Sequence, residues 1–299
     1  MKDYDVYFDG QWLKYHEANV PLLTHSLHYG FGVFEGVRSY ATKQGTAIFR
    51  LQEHSERLLR SAAILNLPVT QSIDELNQAQ REVLRRNHLT NAYLRPLIFL
   101  GEGSMSLDPK AAPVHLMIVA WPWKNLHHEH EAGINVLTTP YRRQSGAPEL
   151  LKAKAIGHYL TSGMALQAAK HQGANEALLL DAEGFVCEGS GQNLFMIKDN
   201  YLVTPASQYA LEGITRASVL KIAQDLGMET CETLFNLEAL YQADAVFLTG
   251  TASELVPVLS LDGHVYNSGT HPLVRQLMQR FSAIVNGEHD EYQAWLSYI

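Results

Sequence analysis

The stretch from Lys152 to Tyr159 reads Lys152-Ala153-Lys154-Ala155-Ile156-Gly157-His158-Tyr159 and places two lysines among apolar residues just before a predicted helix. An amine that is removed from water loses its proton more readily, and it can then attack an aldehyde. Two exposed surface lysines would produce the same letters, so the stretch alone leaves both interpretations open. The helix is predicted over 158–171, with Leu160, Met164 and Ala168 on one side.

Two segments further along the chain combine small residues with polar groups. Glu188 follows an apolar residue pair and precedes the turn Gly189-Ser190-Gly191, where glycines would let the backbone approach a ligand closely. A tight bend beside a solvated glutamate is the alternative. A predicted helix begins at Gly213-Ile214-Thr215-Arg216, and its first amides can bind an anion. The alternative is that Thr215 is only the N-cap of this helix. The turn 249–254, which follows an apolar strand, likewise offers backbone amides and hydroxyls that can bind an anion.

Outside these segments the chain alternates short strands and helices, which predicts a mixed α/β (α+β) fold. Val6 to Leu13 reads as a hairpin around Asp9-Gly10, and amphipathic helices are predicted over 52–65 and 73–87. No Gly-x-Gly-x-x-Gly motif follows the first strand, so a dinucleotide fold is not indicated. Further elements are predicted as strands at 93–100, 114–119, 134–139, 176–180, 193–197, 201–203, 245–248 and 256–261, and as a helix at 217–226.

At 299 residues the chain is long for one hydrophobic core, which predicts two domains. A polar segment without periodicity follows Trp123, so we predict a small domain over 1–119, a connector over 120–132 and a large domain over 133–299. His127, His128 and His130 in the connector, with their neighbouring glutamates, are compatible with a metal site. A solvated linker fits better because nothing supplies a defined ligand geometry, so we predict no metal.

Net charge, the length of apolar runs and the spacing of cysteines exclude several classes of protein. The formal net charge of −8 argues against a general nucleic-acid binder. No run of apolar residues approaches a membrane span, and Met1 to Asp5 does not resemble a signal peptide, so we expect a cytoplasmic protein that does not enter a membrane. Cys187 and Cys231 lie far apart without a Cys-x-x-Cys motif, which predicts two inert, buried thiols.

Seven short motifs, taken together and in order, are far more specific than any one of them. They are His28-Tyr29-Gly30 with Val33-Phe34-Glu35-Gly36-Val37-Arg38, Glu53-His54-Ser55-Glu56-Arg57-Leu58, Tyr93-Leu94-Arg95-Pro96, Lys154-Ala155-Ile156-Gly157-His158-Tyr159, Glu188-Gly189-Ser190-Gly191-Gln192-Asn193-Leu194-Phe195, Gly213-Ile214-Thr215-Arg216 and Gly250-Thr251-Ala252-Ser253-Glu254. On these motifs the chain, from about Val6 to Leu296, resembles the fold-type-IV enzymes that use pyridoxal 5′-phosphate (PLP), and within them the branched-chain amino acid aminotransferases. The resemblance implies two strand-rich domains with helices packed outside and the cofactor between them.

The resemblance also implies a role for each cofactor-binding residue. Lys154, rather than Lys152, is implied as the catalytic Schiff-base lysine, whose amine would move a proton between the substrate Cα and the cofactor C4′. Glu188 would pair with the pyridine nitrogen, Tyr159 would bind the phenolic oxygen, and Leu211 would pack on the ring. The phosphate would be held by Arg57, Ile214, Thr215 and Thr251.

The substrate residues are implied in the same way. Tyr29 and Leu107 would come from the neighbouring subunit of a homodimer or homohexamer. Arg95 would bind the distal carboxylate of glutamate, and the reaction would be a ping-pong amino transfer between L-leucine, L-isoleucine or L-valine and 2-oxoglutarate. An apolar pocket would be formed by Phe34, Tyr159, Trp123 and Leu107. The amides of Thr251 and Ala252, with Tyr93, would hold the substrate α-carboxylate. Gly36 would also belong to the substrate site.

Related activities differ from this pattern at a few positions. D-amino acid aminotransferases of this fold resemble Arg-x-His where Tyr93 and Arg95 stand, and aminodeoxychorismate lyases share the lysine and the glutamate but not the run from Phe34. An (R)-amine transaminase remains an alternative, while retention of the lysine, the glutamate and the phosphate arginine disfavours a non-catalytic relative. The chain departs from the family at Ser106, where glycine is usual and a hydroxyl would be added at the mouth of the pocket, and at Leu126, where tyrosine is frequent.

Overall fold

The computed structural model describes residues 3–124, 126–127, 132–143, 148–206 and 210–299. Main-chain contacts divide the chain into two compact units, and the division is not linear. One unit comprises Met1–Lys124, Ala153–His158 and Ile284–Ile299, and the other comprises Asn125–Lys152 and Tyr159–Ala283. The connector over 120–132 stays a prediction, because residues 125 and 128–131 lie outside the described residues. Both units are strand-rich and mixed α/β, as predicted.

The described part of the first unit is built on an eight-stranded, antiparallel sheet. Its strands are β1 (Asp5–Phe8), β2 (Gln11–Lys14), β3 (Gly32–Phe34), β4 (Val37–Thr42), β5 (Gly45–Phe49), β6 (Ala92–Leu100), β7 (Val114–Pro122) and β17 (Leu296–Tyr298). They follow the order β17-β5-β4-β6-β7-β1-β2, and β3 pairs with β6. The predicted hairpin is confirmed: Asp9 and Gly10 both have positive φ, which the turn between β1 and β2 requires.

Helices α1 (His25–Tyr29), α2 (Leu51–Ile64) and α3 (Ile73–Arg86) belong to the first unit. Periodicity places Leu58, Ala62 and Leu65 on one face of α2, of which Leu58 and Ala62 are buried and Leu65 is partly buried against the core. In α3 the residues predicted to face inward are buried, namely Leu76, Ala79, Val83 and Leu84. Ser72 begins α3 with a capping box, in which its hydroxyl accepts from the Glu75 amide and the Glu75 carboxylate accepts from the Ser72 amide. The two helices and the sheet thus enclose one hydrophobic core.

In the residues that the structure describes, the second unit contains a nine-stranded sheet that closes on itself. Its strands are β8 (Ile134–Arg142), β9 (Glu176–Leu180), β10 (Val186–Gly189), β11 (Asn193–Lys198), β12 (Tyr201–Pro205), β13 (Thr230–Thr233), β14 (Ala245–Gly250), β15 (Glu254–Leu261) and β16 (His264–Val265). The order β10-β9-β8-β15-β14-β11 becomes a ring of six strands, because β10 also pairs with β11. That closing pair joins Glu188 to Asn193, so the ring fixes the position of Glu188.

The longer helices of the second unit are α5 (Tyr159–His171), α6 (Ile214–Asp225) and α8 (Pro272–Val285), and the short ones are α4 (Pro148–Leu151) and α7 (Leu237–Tyr241). The helix predicted at 158–171 forms as α5, but Leu160 is 74% exposed and Met164 is 41% exposed in the single chain. Its buried positions are instead Ser162, Ala165 and Ala169. Small side chains let α5 lie close to β8 and β9, so the larger apolar residues face away from this contact.

The two cysteines differ in burial. Cys187 is buried, and this burial, together with the Glu188 and Asp181 carboxylates, raises the pKa of its thiol to about 12, as expected of an inert cysteine. Cys231 is exposed, so the prediction of two buried thiols is wrong for this residue, which lies on the edge strand β13. Among the described residues, no helix is both long enough and apolar enough to cross a bilayer.

Candidate active site

Lys154 lies in the segment 153–158 of the first unit, and hydrogen bonds hold that segment on both sides. The Lys154 amide donates to the Ser61 hydroxyl of α2 at 3.0 Å, and the Lys154 carbonyl accepts from the Phe34 amide of β3 at 3.1 Å. Ala155 also forms an isolated bridge with Val33. The backbone of Lys154 is therefore positioned by α2 and β3, although the residue lies far from both elements along the chain.

The side chains of Lys154 and Lys152 have different surroundings. Lys154 is a half-buried residue, and its Nζ lies 5.0 Å from the centre of the Phe34 ring. Nζ of Lys152 lies 3.4 Å from Oε2 of Glu149, in a pair whose side chains are 38% and 79% exposed. Such an exposed pair contributes little to stability, which is typical of a surface lysine. Of the two lysines, Lys154 has the surroundings expected of a reactive amine.

Arg57 is buried together with a glutamate and a histidine of the same unit. Its Nε donates to Oε1 of Glu35 at 2.6 Å, and its Nη2 donates to Oε2 at 2.9 Å. His54 donates from Nδ1 to Oε2 of Glu35 at 2.7 Å, because a carboxylate oxygen can only accept. The guanidinium is thus held edge-on by a bidentate pair, which restricts its orientation more than a single contact would.

Electrostatics within this group favour an ionised Glu35 and an uncharged His54. Burial alone would raise the pKa of Glu35, but the Arg57 guanidinium and His54 outweigh burial and hold that pKa well below its ordinary value. Burial lowers the pKa of His54 below its ordinary value, and the Glu35 carboxylate only partly opposes this change. The group therefore carries one positive and one negative charge, which balance each other.

Aromatic rings and an arginine lie beside Lys154. The Arg95 guanidinium stacks at 4.6 Å over the Phe34 ring and at 5.4 Å over the Tyr93 ring. The Tyr93 ring lies 5.1 Å from the Trp123 ring. A Cβ atom at Gly36 would lie 1.9 Å from the Tyr93 hydroxyl oxygen, so only glycine leaves room for that hydroxyl. The predicted residues Phe34, Gly36, Tyr93, Arg95, Trp123 and Lys154 are thus brought together in the first unit.

Arg95 has a buried donor that can bind a ligand. Its Nε is buried and has no hydrogen-bond partner among the described residues. Its Nη2 lies 3.4 Å from the Tyr93 hydroxyl, which is a long contact. A buried and unpaired guanidinium N–H is costly, and a carboxylate is the group that matches it best. An anionic ligand would satisfy this donor, and the role of Arg95 stays a prediction.

Glu188 lies on β10 in the second unit, and it is buried at the closure of the strand ring. Nε of Arg143 lies 2.7 Å from Oε1 of Glu188, and Nδ2 of Asn193 lies 3.4 Å from Oε2. Asn193 also donates to the Leu211 carbonyl at 3.0 Å, which ties the segment that follows β12 to the ring. Two different elements thus fix the orientation of the carboxylate.

The start of α6 has the features of an anion site. Ile214 and Thr215 occupy its first two positions and both are buried, and the N-cap residue Gly213 makes no side-chain cap. The first amides of a helix lack partners within the helix and face any group beyond its N-terminus. A Cβ atom at Gly213 would lie 1.9 Å from Oδ1 of Asn193, so glycine is needed for this close approach. Arg216 does not belong to the site, since it pairs with Glu232 and donates to the Pro205 carbonyl.

The turn after β14 adds further polar groups in the second unit. Thr251 and Ala252 lie in this turn, which the Ser253 amide closes by donating to the Gly250 carbonyl at 3.2 Å. The buried Oγ1 of Thr249 has no hydrogen-bond partner among the described residues. The Ala252 carbonyl accepts from the Leu126 amide at 2.9 Å, so Leu126 contributes its main chain here. Tyr159 begins α5.

The polar groups described above suit the different parts of a phosphorylated pyridine. A buried arginine, uncapped helix amides and hydroxyls are typical phosphate ligands, while a buried carboxylate suits a ring N–H. An amine beside an aromatic ring suits an aldehyde carbon. The described residues therefore fit PLP.

Tyr29 and Leu107 form a separate, exposed group in the first unit. Tyr29 donates from its hydroxyl to the Met105 carbonyl at 2.9 Å, and it is 40% exposed. Leu107 is 73% exposed, which is unusual for a leucine unless another surface covers it. These two residues therefore differ from the other predicted substrate residues of the first unit, whose rings pack together.

Sequence reasoning did not assign a role to Glu35, His54, Arg143 or Asn193. Glu35, His54 and Asn193 each stand inside a quoted motif, and for Glu35 the signal was a carboxylate within an apolar run. Arg143 had no comparable signal, because β8 was predicted to end at Thr139 whereas it continues to Arg142. Supporting residues of this kind are recognisable only once their partners are in place.

Comparisons with known proteins agree with this arrangement. The family model described as "Amino-transferase class IV" matches residues 32–261. The branched-chain-amino-acid aminotransferase of Pseudomonas aeruginosa is 40% identical over 304 residues, which cover 100% of this chain and 99% of that protein. Among solved structures, the branched-chain amino acid aminotransferase of Escherichia coli is similar with a TM-score of 0.95 and 39% identity, covering 99% of each chain. The PLP form of the Thermobaculum terrenum enzyme has a TM-score of 0.92 and 29% identity, with 99% of this chain and 98% of that chain covered.

Proposed function

Since the chain belongs to the class IV aminotransferase family, we propose that it transfers amino groups reversibly between L-leucine, L-isoleucine or L-valine and 2-oxoglutarate, with PLP as cofactor. The observation that carries this proposal is the cluster of a lysine amine, aromatic rings and a buried arginine in the first unit. Relatives of nearly equal length bear the name of this activity. No observation favours a lyase or a D-amino acid transaminase.

PLP, when bound, accepts the amino group of the substrate and takes up the electrons that remain on Cα after its proton leaves. Lys154 is proposed to hold the cofactor through its amine and then to act as the base that moves this proton between Cα and C4′. The hydrogen bonds of its amide and carbonyl fix its backbone, so that Nζ alone has to move between these tasks.

The other cofactor residues are proposed to bind and orient. Glu188 accepts a hydrogen bond from the pyridine N–H, Tyr159 donates to the phenolic oxygen, and Leu211 packs on the ring. Arg57 presents its guanidinium to the phosphate, in the orientation that Glu35 imposes. The remaining phosphate ligands are proposed to be the amides of Ile214 and Thr215 and the hydroxyls of Thr215 and Thr251.

The substrate residues explain how one site accepts two kinds of side chain. The rings of Phe34, Trp123 and Tyr159, with Leu107, provide apolar surface for a branched side chain. Arg95 binds the distal carboxylate of glutamate through its unpaired Nε. The amides of Thr251 and Ala252, with the hydroxyl of Tyr93 that Gly36 accommodates, hold the α-carboxylate that both substrates share.

We further propose that the chain works as a homodimer or a homohexamer, because Tyr29 and Leu107 are exposed in the single chain and suit a role in a neighbouring site. A cytoplasmic location stays a prediction.

The test follows the visible absorbance of the PLP-loaded protein when L-leucine is added without an oxo acid. We expect the yellow colour to fade and then to return with 2-oxoglutarate. Lys154→Ala is expected to lose at least about 10²-fold in rate, because it removes the proton-transfer base. Lys152→Ala, the matched control, is expected to behave as the wild type.

Two outcomes would contradict the proposal. A yellow protein that responds to D-alanine or (R)-amines but not to leucine would overturn the branched-chain assignment. Equal rates for the two lysine variants would overturn the role of Lys154.

A further inference from the structure

Helix α1 is joined to the loop 100–108, which we call the Leu107 loop, by several hydrogen bonds. At the start of the loop, the Leu100 amide donates to the Ser26 hydroxyl at 2.8 Å, and the His25 amide donates to the Gly101 carbonyl at 3.0 Å. Near its tip, the Tyr29 hydroxyl donates to the Met105 carbonyl. The helix thus contacts both the base and the tip of the loop.

His25 provides the contact nearest to Leu107. Its Nε2 lies 3.0 Å from the Ser106 carbonyl oxygen, and it must carry the proton because a carbonyl only accepts. The imidazole is fully buried, and its ring lies 4.7 Å from the Tyr29 ring and 5.6 Å from the Phe31 ring. A side chain packed in this way has little rotational freedom, so the Ser106 carbonyl is held in a fixed place.

Ser106 stiffens the loop from within. Its hydroxyl accepts from the Asp108 amide at 3.2 Å, and its own amide donates to the Ser104 hydroxyl at 3.1 Å. The hydroxyl that was expected at the mouth of the pocket is therefore engaged by its own loop. A glycine at this position would lack the acceptor for Asp108, so serine makes the turn around Leu107 more rigid.

We propose that His25 is a positioning residue for substrate selection, which holds the Ser106 carbonyl and thereby the exposed Leu107 side chain in the place where it contacts a branched substrate. This inference rests on the proposed function, in which Leu107 lines a neighbouring site. Ser106 directly precedes Leu107 in the chain. Loss of the hydrogen bond between His25 and the Ser106 carbonyl therefore changes the position of Leu107 directly.

The experiment compares three variants of the PLP-loaded enzyme. His25→Leu removes the donor, His25→Gln keeps an amide N–H near the position of Nε2, and His28→Leu is the matched control. His28 lies on the same helix, and its Nε2 contacts the Leu22 carbonyl at 2.9 Å rather than the loop. For each protein, KM and kcat are measured with L-leucine and with L-glutamate, and hydrogen exchange is followed at the amides of 104–108.

We expect His25→Leu to raise the KM for leucine by about tenfold, the effect of losing one buried hydrogen bond, while kcat stays within about twofold. The KM for glutamate should rise less, because Arg95 rather than Leu107 binds its distal carboxylate. The Asp108 amide should exchange faster in this variant. His25→Gln should restore both values, and His28→Leu should match the wild type.

A leucine KM in His25→Leu equal to that of His28→Leu would overturn the inference, and so would equal impairment of His25→Gln and His25→Leu. If His25→Leu does not fold, His25→Asn tests the same hydrogen bond, since its shorter amide does not reach the Ser106 carbonyl. An unchanged leucine KM and unchanged exchange in His25→Asn would then overturn the inference. A wild-type enzyme that does not react with leucine would instead overturn the proposed function.

Discussion

The described part of each unit includes a buried pair of an arginine and a glutamate, and the two pairs differ in the number of contacts that join the side chains. In the first unit, Arg57 and Glu35 have side chains that are 5% and 1% exposed and share two hydrogen bonds. In the second unit, Arg143 and Glu188 have side chains that are 11% and 8% exposed and approach at one point. The arginine is proposed to bind cofactor in the first pair, whereas the glutamate does so in the second.

The difference shows that, in a buried ion pair, either the arginine or the glutamate can be the ligand-binding residue that the other one orients. A fully buried, bidentate pair fixes the geometry of the arginine, and this suits a ligand group that must meet phosphate oxygens at defined angles. A pair with a single contact leaves the second oxygen of Glu188 to other donors, which suits a group that must also accept from a ring N–H. Removing the supporting residue of each pair separates these two roles.

The largest effect is expected from Glu35→Gln. This change leaves the Arg57 charge buried without its counter-ion, and we expect the free energy of unfolding of the cofactor-free protein to fall by about 3–5 kcal/mol. The affinity for PLP should fall as well, because the guanidinium loses its fixed orientation. Urea unfolding and PLP titration measure the two effects.

Glu53→Gln is the control for this experiment, since Glu53 pairs with Arg50 at a more exposed site, at the start of α2. The control is expected to cost at most about 1 kcal/mol. A Glu35→Gln protein as stable as this control would show that the buried pair contributes nothing.

A smaller effect is expected from Arg143→Gln. The change removes the Arg143 guanidinium from beside the Glu188 carboxylate, and we expect a loss of about 1–3 kcal/mol in the free energy of unfolding without cofactor. With PLP bound the loss should shrink, because the pyridine N–H replaces the missing cation. Unfolding with and without PLP measures this difference, and an equal loss in both conditions would contradict the proposed role of Glu188.

The smallest effect is a pH dependence caused by His54. Its pKa in the folded protein lies below the unfolded value of 6.5, so the unfolded chain binds more protons just below that pH. Stability is therefore expected to fall as the pH drops below 6.5, by at most about 1.4 kcal/mol per pH unit from this residue. His54→Asn keeps a donor to Glu35 without titrating, and it should show a shallower fall between pH 7.5 and 5.5, a range chosen around the pKa of roughly 6.5 for free histidine. Identical slopes in the two proteins would show that His54 does not titrate in this way.

Periodicity predicted the elements whose apolar residues face a core of their own unit. Both α2 and α3 follow their predicted bounds within one residue, and the Asp9-Gly10 hairpin forms because both turn residues adopt positive φ. For α5 the same reasoning grouped Leu160 with Met164 and Ala168 on one side, but in the single chain the helix is buried on another side, because it packs through its small residues. A period shows which residues share a face, but it does not show which face is buried.

The candidate site was predictable only in part, for a related reason. Motifs indicated Lys154, Arg57 and Glu188, since the chemistry of the cofactor restricts those residue types. They did not indicate Arg143 or the contact of His25 with Ser106, because such partners join residues many positions apart. The sequence also did not predict that the strand ring closes at Glu188 and Asn193, because this closure depends on pairing between strands.

The pairing of β17 with β5 has a consequence for how the protein is made. Leu296–Tyr298 forms the edge of the first unit's sheet, and the Arg50 amide donates to the Trp295 carbonyl at 2.7 Å. Ribosomes synthesise these residues after the whole second unit, so the sheet that begins to form early is completed late. During translation the backbone of β5 is an open sheet edge, which is a template for wrong pairing. A chaperone that shields β5 until residue 298 emerges would therefore protect this sheet edge while its partner strand is still missing.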